Sequence, residues 1–199
     1  IGMTFAGALR SILRQDPDVV LVGEIRDEET AVMAFRAAMT GHQVYSTLHT
    51  NSAVGAIPRL LDTGIAPDIM AGNIIGVIGQ RLVRKLCERC KRAYEPSKLE
   101  RQILRLGVST EVPHVYEAHG CRECEHTGFK GRMALMEVLR FDAQIDELVA
   151  RRATIHEVVK YARGHGFFSL AEDGIRRVIE GVTSMDEISR KIDLTAGIA

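Results

Sequence analysis

Val19-Val20-Leu21-Val22-Gly23-Glu24-Ile25-Arg26-Asp27 opens the stretch that decides the fold, and Thr40-Gly41-His42 and Ser46-Thr47-Leu48-His49-Thr50-Asn51 close it. Four consecutive apolar residues, Val19 to Val22, read as a parallel-sheet strand covered on both faces. That strand delivers Glu24 at its carboxyl end. Asp27 caps the helix that follows, with Glu28 and Glu29 favourably placed in its first turn. The helix is expected to bury Ala31, Phe35, Ala38 and Met39 and to stop at Gly41 in a left-handed cap. Gln43 to Leu48 reads as the next strand. Ligands of open α/β sheets bind outside the carboxyl ends of the strands, so Glu24 and His49 are expected side by side at one rim.

Upstream, Thr4 can cap a helix whose apolar side is Phe5, Leu9, Ile12 and Leu13, and Asp16-Pro17 stops it. Downstream, Ala53 to Leu61 reads as a helix kinked or shortened by Pro58, and Ile74 to Leu86 as a strand. Strand, helix, strand, helix, strand predicts a parallel α/β sheet. Between Cys87 and Cys124 the periodicity weakens, and only Lys98 to Leu106 looks helical. Met133 to Leu139 could return to the sheet. Thr154-x-x-Glu157, Ser169-x-x-Glu172 and Ser184-x-x-Glu187 are capping-box signatures before amphipathic runs, so the last third reads as a helical bundle.

The 199 residues carry 26 Lys+Arg against 26 Asp+Glu, so global charge argues for no strongly charged partner. No apolar run approaches the roughly 18 residues of a membrane-spanning candidate, and no signal-peptide pattern opens the chain. A cytoplasmic protein is expected. Because the chain opens on Ile1 at what reads as a helix entry, it is expected to be a piece of a longer protein.

Glu24 could serve Mg²⁺ through its water shell or orient an attacking water. It could equally be a capping or surface acid paired with Arg26. His42 and His49 flank the second strand; either could donate to a phosphate, or be an ordinary loop histidine. They stand roughly 20 Å apart if the strand is extended, too far to share one ion without a bend. Thr47, Thr50, Asn51 and Ser52 add donors around His49.

The four cysteines form two pairs, Cys87-x2-Cys90 and Cys121-x2-Cys124. Each pair can close a knuckle on tetrahedral Zn²⁺, and four thiolates make a closed, non-catalytic site. A redox pair and spare reduced thiols are the alternatives; His114, His119 and His126 are substitute ligands. A basic stretch runs from Arg81 to Arg105. It could meet anionic lipid or acidic protein, or be a solvated face, and only Tyr94 and Tyr116 there could stack on bases. No G-x-x-x-x-G-K-[ST] loop occurs, so this chain by itself is expected neither to bind ATP tightly nor to hydrolyse it.

Leu9-Arg10-Ser11-Ile12-Leu13-Arg14-Gln15-Asp16-Pro17-Asp18 with Val22-Gly23-Glu24-Ile25-Arg26-Asp27-Glu28-Glu29-Thr30-Ala31 resembles the Walker B region of the type II secretion and type IV pilus ATPases. Thr40-Gly41-His42 through Ser46-Thr47-Leu48-His49-Thr50-Asn51-Ser52-Ala53 resembles that family's histidine box. Gln80-Arg81-Leu82 and Gly131-Arg132 before Glu137-Val138-Leu139 follow its pattern too. The resemblance implies an α/β fold: the C-terminal half of a RecA-like P-loop NTPase sheet over 1–86, a tetracysteine zinc subdomain over 87–130, and a return strand with a helical domain over 131–199. It implies a hexameric, cytoplasmic motor on an inner-membrane platform protein, coupling ATP hydrolysis to pilus extension or secretion. Glu24, His42 and His49 would be catalytic, and Arg26, Arg81 and Thr47 would contact nucleotide or a neighbouring subunit. ATP, Mg²⁺ and Zn²⁺ would be the cofactors, with no nucleic acid. The phosphate loop would lie upstream. A zinc-binding adaptor or a nucleic-acid module without a nucleotide role is the alternative.

Overall fold

The computed structural model describes residues 2, 4–105 and 112–194. In chain order it runs α1 (Phe5–Leu13), β1 (Val19–Val22), α2 (Glu28–Met39), β2 (Gln43–Ser46), α3 (Ala56–Asp62) and α4 (Pro67–Met70). Then come β3 (Gly76–Leu86), β4 (Arg92–Tyr94), α5 (Lys98–Leu104), β5 (Val115–Glu117), a short 3₁₀ turn (Arg122–Cys124) and β6 (Phe129–Arg140). Four helices end the chain: α6 (Ala143–Ala150), α7 (Ile155–Gly164), α8 (Leu170–Ile179) and α9 (Met185–Ser189). Leu106, the expected end of α5, lies outside the described residues. The chain divides into two compact units, one of residues 1–77 and 139–167, the other of 78–138 and 168–199.

In the first unit β1 and β2 pair in parallel, with Val19 opposite Gln43 and Val22 opposite Ser46. Thr4 caps α1 through the Gly7 N–H. Asp16 takes a left-handed φ of 52° directly before Pro17, as a short polar residue barred from the helical region can. Asp27 caps α2 by accepting from the Thr30 N–H at 2.8 Å, and Gly41 turns the chain with φ 96°. Pro58 sits in the first turn of α3, where its missing N–H would have no helical partner anyway; the helix therefore starts later than its apolar pattern. Val20, Val22, Ile25, Ala31, Ala34, Phe35, Ile57 and Leu60 form one core with Leu139, Ile145, Leu148 and Val158.

Three expectations here need correction. Val19 and Leu21 are exposed, Leu21 at 76%, so β1 is covered on one face only within this chain. Phe5, Ile12 and Met39 are exposed too; Ala6 and Leu9 on α1, and Ala31, Met33, Ala34, Phe35 and Ala37 on α2, carry the buried faces. The third strand does not extend the parallel sheet. β3 pairs with β6 in a separate two-stranded sheet, and burial alternates along β3, the mark of a strand with one face on a core. Met133 to Leu139 likewise joins β3 and not the β1–β2 sheet.

The second unit holds most of β3 and β6, the antiparallel pair β4–β5 with Ala93 opposite Tyr116, and α5, α8 and α9. Its core is Val83, Leu104, Val115, Leu135, Leu170, Ile175, Val178 and Ile188. The expected C-terminal bundle is thus divided: α6 and α7 place Ile145, Leu148 and Val158 in the first core, whereas α8 and α9 place Ile175 and Ile188 in the second. The segment 87–130 shares its unit with α8 and α9. Capping boxes form at Thr154–Glu157 and Ser169–Glu172. At Ser184 only half the box forms, because the Glu187 carboxylate turns instead to Arg84. Among the described residues no helix is long and apolar enough to cross a membrane.

Candidate functional site

The β1–β2 ladder ends at Val22 and Ser46, and both chains continue past it as irregular backbone. Glu24 leaves one strand end and His49 the other, and they meet: His49 Nε2 lies 3.1 Å from Glu24 Oε2. Arg26 Nη2 takes the other carboxylate oxygen at 2.6 Å. The Arg26 hydrogen bond first, and then His49, hold the Glu24 carboxyl below its ordinary range against the opposing effect of partial burial. Glu24 is thus a stable carboxylate at neutral pH. Its two neighbours stand largely in solvent, the Arg26 and His49 side chains 69% and 79% exposed. An acid whose partners are exposed can exchange them for a hydrated cation or a water without burying a charge.

Thr47 sits between the two strand ends. Its hydroxyl donates to Gly23 O at 2.7 Å, and its carbonyl accepts from the Ile25 N–H at 3.0 Å. A phosphate would meet this hydroxyl as an acceptor only, because its one proton is engaged. His42 is not brought to the site. It precedes β2, at the opposite end from His49, and its Nδ1 lies 3.0 Å from both Ala37 O and the Thr40 hydroxyl. Arg81 lies on β3 in the second unit, with Nη1 donating to Gln80 O at 2.9 Å.

The cysteines do converge. Their four sulfurs lie within 4.8 Å of one another. Cys87–Cys121, Cys90–Cys124 and Cys121–Cys124 are separated by 3.9, 3.7 and 3.8 Å. A tetrahedron with metal–sulfur bonds of about 2.3 Å has edges of about 3.8 Å, so the thiols fit a four-coordinate ion of zinc's size. His114, His119 and His126 are not part of the group.

Backbone N–H groups face the sulfurs: Gly120 donates to Cys90 at 3.3 Å, and Cys121 and Gly128 to Cys124 at 3.2 Å each. Although burial works to raise it, Cys124 is drawn down to about 6 by its two backbone donors. Burial pushes Cys90 up to about 12. Gly120 and Gly128 have φ of 107° and 76°, and a Cβ would stand 2.7 Å from His126 O and 2.6 Å from the Ala118 Cβ. Only glycine lets the second knuckle close.

Part of the basic stretch is engaged in ion pairs. Arg84 pairs with Glu187, Arg89 with Glu123, Lys91 with Glu88 and Arg101 with Glu95. The two tyrosines are engaged as well. Tyr94 donates to Glu100 at 2.5 Å, and Lys91 Nζ lies 4.8 Å from the centre of the Tyr116 ring. The Arg84–Glu187 tie escaped the sequence reading. Its one visible signal was the capping-box glutamate of Ser184-x-x-Glu187, lying between Met185 and Ile188.

A model of the family described as "Type II/IV secretion system protein" matches residues 1–190. The chain belongs to this family. It is 48% identical over 191 residues to the type II secretion system protein E of Pseudomonas aeruginosa, covering 96% of this chain and 38% of that protein. It is 46% identical over 190 residues to the type II secretion system ATPase E of Vibrio cholerae, covering 96% and 37%. Against the type IV pilus assembly ATPase PilB of Thermus thermophilus it is 44% identical, covering 94% and 21%. The chain therefore spans little more than a third of the length of the first two relatives. Among solved structures it superposes on the Legionella pneumophila ATPase DotB with TM-score 0.62 at 23% identity, covering 94% of this chain and 42% of that one. On the pilus retraction motor PilT with bound ADP the TM-score is 0.51 at 26% identity, covering 94% and 46%. The DotB likeness bears on the fold alone. Among these relatives are ATPases named for type II secretion and for type IV pilus assembly.

Proposed function

We propose that these residues are part of a RecA-like motor that couples ATP hydrolysis to type II secretion or type IV pilus extension. Glu24 serves the Mg²⁺ and water side of the reaction, His49 responds to the terminal phosphate, and Arg26 contacts the nucleotide or a neighbouring subunit. The observation that carries the reading is the 3.1 Å approach of Glu24 and His49 at the shared rim of β1 and β2. The family membership and the ATPases among its relatives support it. Turnover is assigned to the full-length protein, because the 199 residues contain no phosphate loop. The motor is read as a homo-hexamer at the cytoplasmic face of the inner membrane, docked on a platform protein and binding no nucleic acid.

His42 and Arg81 complete the proposed set, His42 among the catalytic residues and Arg81 as a nucleotide or neighbouring-subunit contact. His42 sits at the far end of β2 and would act on a different surface from Glu24. The four cysteines hold a structural Zn²⁺ that keeps the second unit folded and takes no part in the chemistry. The test is Glu24→Gln in the full-length protein. Magnesium-dependent ATP turnover is expected to fall by about a hundredfold or more; turnover at the wild-type rate removes Glu24 from the mechanism.

A further inference from the structure

Gly23 and Ile25 flank Glu24 very differently. Ile25 is buried in the first core, 8% exposed, and its N–H is tied to Thr47 O, so packing fixes the chain on that side. Gly23 has no side chain, and a Cβ there would meet nothing within 4 Å. Packing therefore does nothing to hold it, and glycine is the residue with the most backbone freedom to lose. The ladder has already ended at Val22 and Ser46. Beyond that point, the Gly23 carbonyl is held by the Thr47 hydroxyl at 2.7 Å.

We propose that Thr47 is the positioning residue for Glu24: its hydroxyl pins the Gly23 carbonyl and its own carbonyl receives the Ile25 N–H, so the carboxylate between them is presented beside His49. This rests on the role proposed for Glu24, and it assigns Thr47 a task different from holding nucleotide. Thr47 is itself exposed. Losing the hydroxyl leaves the Gly23 carbonyl to water, which satisfies it without a desolvation cost. Stability should hardly change while the aim of the carboxylate loosens.

The experiment uses the full-length protein carrying Thr47→Val, which keeps the side-chain shape and removes the donor, and Thr47→Ser, which keeps the donor and removes the methyl. Steady-state turnover with Mg-ATP is measured beside Glu24→Gln and the wild type. Thr47→Val is expected to lower kcat by about ten- to a hundredfold, the scale of a small misplacement of a reacting group. Its KM should stay within about twofold and its melting temperature unchanged, because no ground-state contact with nucleotide is lost. Thr47→Ser should recover kcat to within about threefold of wild type. Wild-type kcat in Thr47→Val overturns the proposal. So does a rise in KM alone, which would make the hydroxyl a nucleotide contact, and so does a Thr47→Ser variant as slow as Thr47→Val. If Glu24→Gln turns over normally, the functional reading itself fails, and that result is separate from anything Thr47 shows.

Discussion

The strand rim of the first unit and the cysteine knuckles of the second are built on opposite principles. At the rim, Glu24 meets two largely exposed partners, Arg26 and His49, and the backbone that carries it has left the ladder. At the knuckles, Cys87 and Cys124 are buried, backbone donors converge on the sulfurs, and two glycines stand where no side chain fits. The rim can change partners at little cost, as a site that handles a substrate must. The knuckles cannot change without the surrounding fold giving way. Charge and cysteine chemistry in one chain are thus divided between a place proposed to react and a place proposed to hold.

The largest effect should come from attacking the closed site. Removing zinc with a strong chelator, or replacing Cys121 with Ser, is expected to abolish the cooperative unfolding transition of the second unit, because structural metal binding is itself folding free energy. Metal analysis of the purified chain should find about one zinc per chain. Less than about half an equivalent, with all four thiols freely titrating, would break the contrast by making the knuckles an unmetallated cluster.

The next effect lies just beyond the knuckles. Glu187 is 1% exposed and accepts from Arg84 through its backbone N–H at 3.1 Å and through Nε at 2.9 Å; the Arg84 guanidinium also covers the Phe129 ring at 3.9 Å. Leu86 N–H donates to Val182 O, and the Thr183 hydroxyl to Arg84 O, so the turn between α8 and α9 is stitched to the strand entering the first knuckle. Glu187→Ala leaves Arg84 without its anion. It should cost about 2–3 kcal/mol, below the figure for a fully buried pair because Arg84 is half-exposed. Burial works to raise the Glu187 carboxyl, but Arg84 outweighs it and holds the group below its ordinary value of 4.5. A carboxyl depressed in the folded state stabilises above its unfolded value and loses that contribution as pH falls through the folded one. Thermal melts should therefore show the second unit weakening below pH 4.5, with the acid sensitivity reduced in Glu187→Gln. An unchanged acid profile would remove the pair from the stability of this unit.

The rim was more legible in the sequence than the frame around it. An apolar run ending in an acid, and a second run ending in histidine, are local patterns that a parallel pair must bring together. Strand partners are not local. Ile74 to Leu86 showed a strand but nothing of its pairing with β6. Capping boxes placed α7 and α8 correctly, but no cap tells which core a helix joins, so of the expected bundle α7 went to the first unit and α8 and α9 to the second. Helix α6 was missed although Asp142 caps it, accepting from the Gln144 and Ile145 N–H groups. Its apolar Ile145, Leu148 and Val149 fall at helical spacing.

A smaller change tests how tightly the knuckle is closed. Gly128→Ala places a Cβ against Ala118 at a left-handed φ of 76°, and about 1–3 kcal/mol of stability should be lost. Zinc content should persist at lower affinity. Wild-type stability in a denaturant titration would mean that the turn opens more easily than its contacts indicate.

The smallest stability effect is expected at the site proposed to matter most for turnover. Glu24→Gln keeps the shape of the side chain and leaves Arg26 and His49 where water already solvates them, so the melting temperature of this chain should not move outside measurement error. The same substitution in the full-length protein is the one expected to stop hydrolysis. If Glu24→Gln leaves the melting temperature unchanged, a carboxylate that stands 3.1 Å from an imidazole on the neighbouring strand end is placed for something other than stability. If Glu24→Gln instead lowers the melting temperature as far as Glu187→Ala does, the rim is a second structural clamp. The division between a reacting and a holding region would then disappear.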